Sequence, residues 1–233
     1  MKLRNLLVLG ALLLVGSAQA ALVERTKPTF TLTNPIEAFT DGTTSMYMYN
    51  VGAKKFFCGG NSWGTQTSVG DEGYRVYFEQ HLVDGAWDGT TVIFKDSCLA
   101  KSGSMKQVFF DNANGGCFVD RGSQANYYWK LEKNDKYYRL SMAEANPDYQ
   151  AWQVDTHPGT FWGWCDSIAG TVDANGGKDD YTRVFSFLDP ANPHNHVDWA
   201  IVSVADYLAY EAQLDAYATS LDLKAAIEEA AAK

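Results

Sequence analysis

Short segments in which aromatic or β-branched residues alternate with polar residues recur along most of the chain. One is "YMYN" (Tyr47–Asn50), and longer examples are "RVYFEQ" (Arg75–Gln80) and "TTVIFKD" (Thr90–Asp96). A period of two is typical of half-buried β-strands. Connections between such segments carry Asp-Gly, Asn-Asp or Asn-Pro, which favour turns. Four more segments of this kind are Tyr127–Glu132, Lys136–Ala143, Arg183–Leu188 and Asp198–Val204.

The alternating segments echo one another three times. In each echo a short strand ends at Asn or Asp, a turn follows, and an aromatic residue seven positions later begins the next strand. The three pairs are Tyr47–Asn50 with Phe57, Val108–Asp111 with Phe118, and Trp152–Asp155 with Trp162. We interpret the echo as three four-stranded units over roughly residues 46–96, 107–143 and 151–204.

Twelve strands in three repeats are typical of a β-trefoil, and residues 46–205 resemble the ricin-type β-trefoil domains of secreted bacterial proteins. The resemblance implies an all-β fold whose three units share one core, and a lectin-like activity in the loops. In that family sugar-binding repeats usually end in Gln-x-Trp, whereas here that motif occurs once, at Gln150–Trp152. The residues expected in the core are Tyr47, Phe57, Phe78, Phe110, Phe118, Trp129, Val154, Trp162 and Phe187.

Two loops hold the residues that we expect to bind a carbohydrate. The loop "GGNSWG" contains Asn61 and Trp63, and the segment "FWGWCD" contains Trp164 and Asp166. A sugar site needs an aromatic ring that stacks on the sugar beside an amide or carboxylate that binds its hydroxyls. The alternative is that both tryptophans cap the barrel and belong to the scaffold.

The segment "PHNHVDW" places His194, His196 and Asp198 at alternate positions, which face the same side of a strand. Imidazole and carboxylate groups are metal ligands, so these three residues are weak candidates for a metal site. A solvated loop is the interpretation that we favour. The chain contains no H-E-x-x-H motif and no P-loop. We therefore expect a noncatalytic protein with no cofactor.

Residues 1–20, "MKLRNLLVLGALLLVGSAQA", are typical of a secretory signal peptide. Lys2 and Arg4 precede an apolar run, and Ala18 and Ala20 are the small residues that signal peptidase requires. The run has about ten residues, fewer than the roughly 20 that span a membrane as a helix. We expect export to the periplasm, the cell surface or the extracellular space.

The chain is acidic. Its formal net charge is −9, and loss of Lys2 and Arg4 with the signal peptide would make it −11. An acidic surface repels a phosphate backbone, which argues against a nucleic-acid partner. A glycan or cell-surface polysaccharide is the expected partner.

Four cysteines, an even number, occur in this chain. In an exported protein they allow one or two disulfides, and their spacing does not decide which residues pair. The four are Cys58, Cys98, Cys117 and Cys165.

Residues 206–233 have a helical pattern instead. Tyr207, Tyr210, Leu214, Tyr217 and Leu221 are spaced three and four apart, as on one face of an amphipathic helix. We expect Asp206 to cap the helix, and Ser220 and Asp222 to end it before a second short helix. Its acidic polar face argues against membrane insertion.

The sequence therefore predicts four parts: a signal peptide (1–20), an N-terminal segment (21–45), a β-trefoil domain (46–205) and a helical tail (206–233). The predicted function is a secreted, noncatalytic carbohydrate-binding module. The alternative is a structural or protein-interaction module of the cell surface, with the helix as the element that docks to a protein partner. A further alternative is protease inhibition through the polar segment Thr65–Tyr74, taken as an exposed loop.

Overall fold

The computed structural model describes residues 26–60, 66–97, 106–111, 116–121, 128–143, 158–166 and 184–232. The chain divides into two compact units, Thr29–Glu211 and Met1–Pro28 with Ala212–Lys233. One helix, α1, spans Val204–Ala231. The strands among the described residues are β1 (Tyr47–Asn50), β2 (Lys55–Gly60), β3 (Gln66–Gly70), β4 (Val76–Val83), β5 (Ala86–Asp96), β6 (Lys106–Asp111), β7 (Gly116–Arg121), β8 (Trp129–Asn134), β9 (Tyr137–Met142), β10 (Phe161–Cys165), β11 (Val184–Leu188), β12 (Asn195–His196) and β13 (Trp199–Val202).

The structure confirms a mostly β fold with a C-terminal helix. The predicted strands at β1, β2, β4, β5, β6, β7, β8, β9, β10, β11 and β13 form within a few residues of their expected positions. The prediction of an exposed loop over Thr65–Tyr74 is wrong, because this segment contains strand β3 and the three middle residues of β3 are buried. Two of those residues carry hydroxyls, which hides the apolar alternation. The hydroxyl of Thr67 donates to the carbonyl of Cys117 at 3.2 Å, which makes its burial tolerable.

Six strands pair in a closed circuit. Antiparallel pairings join β1 to β13, β13 to β9, β9 to β8, β8 to β5, and β5 to β4. A bridge between Met46 and Val76 returns the circuit to the start of β1. The Met46 N–H donates to the Val76 carbonyl at 3.0 Å, and the Val76 N–H donates to the Met46 carbonyl at 2.8 Å. Closure leaves these six strands without an open edge at that end.

Three hairpins accompany the circuit. β2 pairs with β3, β6 with β7, and β10 with β11. Backbone pairing of Gln66 with Phe118 joins β3 to β7, and pairing of Phe185 with Gly116 joins β11 to β7. The two-residue strand β12 pairs with β10. All thirteen strands thus belong to one curled sheet.

The echo between Tyr47–Asn50 and Val108–Asp111 does not extend to their places in the sheet. The first segment is β1, a member of the circuit, whereas the second ends β6, which pairs with β5 and β7. The third echo, Trp152–Asp155, lies outside the described residues. A short alternating segment indicates only that its residues favour a strand. It does not indicate whether that strand belongs to the circuit or to a hairpin.

Aromatic rings fill the core of the strand-bearing unit. Trp162 stacks on Trp199 with ring centroids 4.5 Å apart, and Phe57 meets the Trp162 ring at 5.4 Å. Burial of a ring of this size stabilises the fold by about 1.5–3 kcal/mol. Of the predicted core residues, Phe118 and Phe187 are half-buried, and the Phe110 side chain and Val154 lie outside the described part. The other five, all fully or nearly fully buried, are Tyr47, Phe57, Phe78, Trp129 and Trp162.

The first turns of α1 pack on the sheet through two tyrosines. Tyr207 stacks on Tyr47 with centroids 3.6 Å apart, and its hydroxyl accepts the Gly73 N–H at 2.8 Å. Tyr210 lies against Phe56 and against Phe30 of the N-terminal segment, at 5.8 and 5.5 Å. The beginning of the helical stripe thus packs on the β strands through these two tyrosines.

The cap of α1 differs from the prediction. Ser203 caps the helix: its hydroxyl accepts the Asp206 N–H at 3.1 Å and donates to Asp206 Oδ2 at 2.8 Å. Asp206 therefore lies inside the first turn, where its N–H and its carboxylate both bond to the hydroxyl of the cap residue, and it is not the cap itself. The helix also continues through Ser220 and Asp222, so the predicted break is wrong. A single Ser or Asp costs a helix less than about 1 kcal/mol relative to Ala, too little to end it.

The later part of α1 carries exposed apolar side chains. Leu221, Leu223 and Ile227 are 44, 46 and 40 % exposed. Leu221 belongs to the predicted stripe, so the stripe is buried only at its beginning. Among the described residues, no helix has the length and apolarity that crossing a membrane requires.

Candidate functional site

One group of side chains lies where β10 ends and β12 runs beside it. β10 carries Trp164, and Asp166 is the first residue after the strand. β12 carries His196, which pairs with Trp164 across the two strands. The Asp166 N–H donates to the carbonyl of His194 at 3.1 Å. The chain thus brings both predicted ligand-binding residues of this segment together with both histidines of "PHNHVDW".

The Asp166 carboxylate joins two imidazoles. His194 Nδ1 lies 2.6 Å from Oδ1, and His196 Nε2 lies 3.3 Å from Oδ2. Because an ionised carboxylate only accepts, these two ring nitrogens are the donors. The hydrogen bond from His194 lowers the pKa of Asp166 below its usual value, desolvation partly opposes the shift, and the bond from His196 adds to it. The carboxylate is therefore ionised at neutral pH.

Exposure differs across this group. The side chains of His194 and Asp166 are 56 and 41 % exposed, whereas that of His196 is 26 % exposed. Trp164 is half-buried against the main core, and its ring stacks on His196 with centroids 5.2 Å apart and planes 21° apart. One face of the indole is therefore covered by an imidazole. Asp166 and His194 form the accessible part of the site.

The backbone at two glycines lies very close to His196. A Cβ atom at Gly52, in the turn after β1, would overlap Nδ1 and Cγ of the His196 ring and lie 2.7 Å from its Cβ. A Cβ atom at Gly163 would overlap the His196 carbonyl oxygen. The same carbonyl accepts the side-chain N–H of Asn50, which is fully buried, at 2.8 Å. Two separate chain segments, residues 50–52 and β10, therefore hold this histidine.

Asp198 takes a different place from the two histidines that share its sequence pattern. Its carboxylate accepts from Arg139 Nε at 2.7 Å and from the Asn134 amide at 2.9 Å. Burial raises the pKa of Asp198, but the bonds from Arg139 and Asn134 outweigh it, and the net shift is downward. No group of three or more His, Cys, Asp or Glu residues within the described ranges has the arrangement of a metal site.

The loop between β2 and β3 contains the other two predicted ligand-binding residues, Asn61 and Trp63. Both lie outside the described residues, so their role stays a prediction. The same loop spells Gly60-Asn61-Ser62-Trp63-Gly64, which matches the G-x-S-x-G pattern of hydrolase nucleophile elbows. That pattern requires a strand before the serine and a helix after it. Here it connects two strands, β2 and β3, so the context for a nucleophile is missing.

The presence of one or two disulfides also stays a prediction. Cys117 and Cys165 are buried and Cys58 is half-buried, whereas Cys98 lies outside the described part of the chain. Burial alone is compatible with either a thiol or a disulfide.

Sequence reasoning missed the histidines as partners of Asp166. Their alternation drew attention to Asp198, two residues further on, while the true partner is 28 residues from His194. The sequence offered only one indication that these residues meet: the segments of Asp166 and of the histidines both combine aromatic and polar residues next to a turn. Many loops share this pattern.

No protein-family model matches the chain, and no curated protein matches it. Among solved structures, lysenin in complex with phosphocholine is 11 % identical with a TM-score of 0.44; the match covers 72 % of this chain and 46 % of lysenin, less than half its length. The Macrolepiota procera ricin B-like lectin in complex with lactose is 12 % identical with a TM-score of 0.37, over 72 % of this chain and 99 % of the lectin. At these TM-scores neither likeness decides the fold or the function.

Proposed function

We propose that the chain is an exported, noncatalytic carbohydrate-binding module with a β-trefoil architecture. Strand order supports the architecture. The circuit strands and the hairpins fall into three successive sets of four: β1–β4, β5–β8, and β9, β10, β11 with β13. In each set the first and last strands belong to the circuit and the middle two form a hairpin. The boundaries between these sets are displaced by one strand from the boundaries of the units that the sequence echo predicts.

Two sets share a specific core contact that supports the repeat. The indole N–H of Trp129, the first residue of β8, donates to the carbonyl of Val108 in β6 at 2.9 Å. The indole N–H of Trp199, the first residue of β13, donates to the carbonyl of Trp162 in β10 at 3.1 Å. Strands in equivalent positions of the second and third sets therefore make equivalent bonds.

Asp166 carries the binding proposal. It is an exposed, ionised carboxylate whose two oxygens each accept one imidazole N–H, which leaves lone pairs on both oxygens. Those lone pairs can accept hydroxyl groups of a sugar. Trp164, two residues before Asp166, is half-buried and stacks on His196. A few convergent polar groups next to an aromatic ring are the usual chemistry of a small-molecule site.

A glycan array tests this function. The purified chain and Asp166→Asn are compared on an array of neutral and acidic oligosaccharides, with Asp84→Asn in the β4–β5 turn as the matched control. We expect the wild type and the control to bind alike, and Asp166→Asn to bind at least about tenfold more weakly, a change of about 1.4 kcal/mol. Circular dichroism verifies that both variants fold. Binding by no oligosaccharide, or equal binding by Asp166→Asn, would refute the proposal.

The second candidate is a protein-interaction module, favoured by the exposed Leu221, Leu223 and Ile227 of α1. Exposed apolar side chains grouped on one helix are typical of a contact surface. Leu223→Lys with Ile227→Lys distinguishes the two candidates. If Asp166 binds carbohydrate, this variant should retain glycans as the wild type does. If the protein is an interaction module, neither the wild type nor the variant retains glycans, and the variant loses attachment to the producing cells.

A further inference from the structure

The two histidines that bind Asp166 are held very differently. His194 lies on the turn before β12 and its side chain is 56 % exposed, so it can rotate into solvent. His196 is 26 % exposed, stacks on Trp164, and has Gly52 beside its ring. The two imidazoles therefore differ in freedom although they bond to the same carboxylate.

Gly52 makes room for His196. The backbone at Gly52 does not need glycine for its φ angle, since its φ lies outside the left-handed region. Its lack of a side chain matters for space alone, because a Cβ there would overlap the imidazole. Alanine would fit this backbone and push the ring away. Because the His196 Cβ also lies within 2.7 Å, the whole side chain with its backbone would have to shift, and not the ring alone.

We propose that His196 is the positioning residue of the carbohydrate site and orients the Asp166 carboxylate. Gly52, which has no side chain, leaves the space that the His196 ring occupies. The hydrogen bond of His194 to Asp166 Oδ1 is the one that a ligand hydroxyl replaces. This inference rests on the proposed function. A carboxylate held by one fixed and one exchangeable donor keeps its orientation while one oxygen becomes available. An oriented acceptor binds a hydroxyl more tightly than a free one, because less conformational freedom is lost on binding.

Four variants test the hierarchy on the oligosaccharides that the wild type retains. We expect His196→Ala and Gly52→Ala each to weaken binding at least about tenfold, as Asp166→Asn does. We expect His194→Ala to change it less than about threefold, because the ligand replaces its hydrogen bond. His196→Gln keeps a donor within reach of Asp166 and should recover part of the affinity. His81→Ala removes another stacked histidine, which lies on Tyr128 at 3.6 Å, and serves as the control.

A measurement without any saccharide separates this inference from the function on which it rests. We expect the indole of Trp164 to shift the ring protons of His196 upfield in the NMR spectrum, because the two rings are stacked. Gly52→Ala should remove that shift and leave the signals of His194 in place. Urea denaturation should give a cost for Gly52→Ala that His196→Ala relieves in part in the double variant, because the overlap with Nδ1 and Cγ is removed while the 2.7 Å approach to Cβ stays.

The outcomes are distinguishable. An unchanged His196 signal in Gly52→Ala, or additive stability costs in the double variant, would overturn the role of Gly52. Equal losses of glycan binding in His194→Ala and His196→Ala would overturn the division of roles between the histidines. If the wild type binds no oligosaccharide, the NMR and stability results still decide how His196 is held, while the absence of binding overturns its role in recognition together with the proposed function.

Discussion

The tetrapeptide Asp-Gly-Thr-Thr occurs twice, at Asp41–Thr44 and Asp88–Thr91, and forms the same turn both times. Asp88 Oδ1 accepts the N–H groups of Thr90 and Thr91 at 2.8 and 2.7 Å, and Oδ2 accepts the Thr91 hydroxyl at 2.5 Å. The second residue of each copy is a glycine with a positive φ, 75° and 90°. Four residues therefore dictate a local structure regardless of where they lie in the chain.

These bonds stabilise the ionised carboxylates. The Thr91 hydroxyl, followed by the N–H groups of Thr91 and Thr90, lowers the pKa of Asp88 to about 2, with a small opposing effect of desolvation. The equivalent groups of the first copy lower the pKa of Asp41. Both turns therefore lose their acceptors only in strong acid.

We expect Asp88→Ala to lower the free energy of unfolding by about 1 kcal/mol at neutral pH, because three donors lose their acceptor. An unfolded Asp titrates near about 3.9, and Asp88 in the folded chain near about 2. Its ionised form therefore stabilises fully above pH ~4, and the contribution is lost as the pH falls from about 4 to about 2. Urea denaturation at both ends of this window measures the loss. Asp88→Asn, which keeps Oδ1, is the control, and a cost of Asp88→Ala that does not change with pH would contradict the expectation.

At the scale of elements, α1 is joined to the sheet by tyrosine rings and not by a continuous apolar stripe. Tyr207 and Tyr210 are 1 and 5 % exposed. Burial, the largest cause for both, raises the pKa of each to about 12. The N–H of Gly73 partly opposes the shift of Tyr207. Packing of this element therefore depends on two hydroxyls that stay protonated.

This packing should fail in alkaline solution. An unfolded Tyr titrates near about 10, and the folded values are about 12. The contribution of each neutral hydroxyl is complete below pH ~10 and is lost as the pH rises from about 10 to about 12, on the order of 2 kcal/mol per residue. Urea denaturation near pH 8 and pH 11 tests this with Tyr207→Phe and Tyr210→Phe, which should lose less stability between the two conditions than the wild type. Identical losses in all three proteins would contradict it.

At the scale of the whole molecule, the closed circuit and its repeated indole contacts hold the β unit together. Trp129 and Trp199 are 1 and 0 % exposed, and each indole satisfies a carbonyl on a neighbouring hairpin. The two bonds connect the circuit to two of the three hairpins. They join residues that are 21 and 37 positions apart in the chain.

We expect Trp129→Phe and Trp199→Phe to cost similar amounts, about 2–4 kcal/mol each, because both leave a buried carbonyl without its donor and leave a cavity. Trp87→Phe is the matched control: its indole donates to the Thr91 carbonyl at 2.7 Å, but the ring is only half-buried, so the cost should be smaller. Urea denaturation measures all three. A cost for Trp129→Phe several times that of Trp199→Phe would argue against equivalent sets of strands.

Local pattern sufficed for much of the secondary structure. Alternation and turn signals located eleven of the described strands, and a spacing of three and four located the helix, since strand and helix periods are properties of neighbouring residues. It failed at β3, where two of the three buried residues carry hydroxyls, and at Ser203, where cap choice depends on which residue first adopts helical angles. The twin Asp-Gly-Thr-Thr turns were readable from the sequence and were not recognised.

By itself the sequence determined that the chain folds into short strands followed by a helix, and that Trp164 and Asp166 lie beside a turn. Only the tertiary structure decided which strands close the circuit, that Asp166 binds His194 and His196, and that Asp198 binds Arg139 instead. The physical reason is distance along the chain. Periodicity is written in adjacent residues, whereas the contact of Asn50 with His196 joins positions 146 residues apart and depends on every element between them.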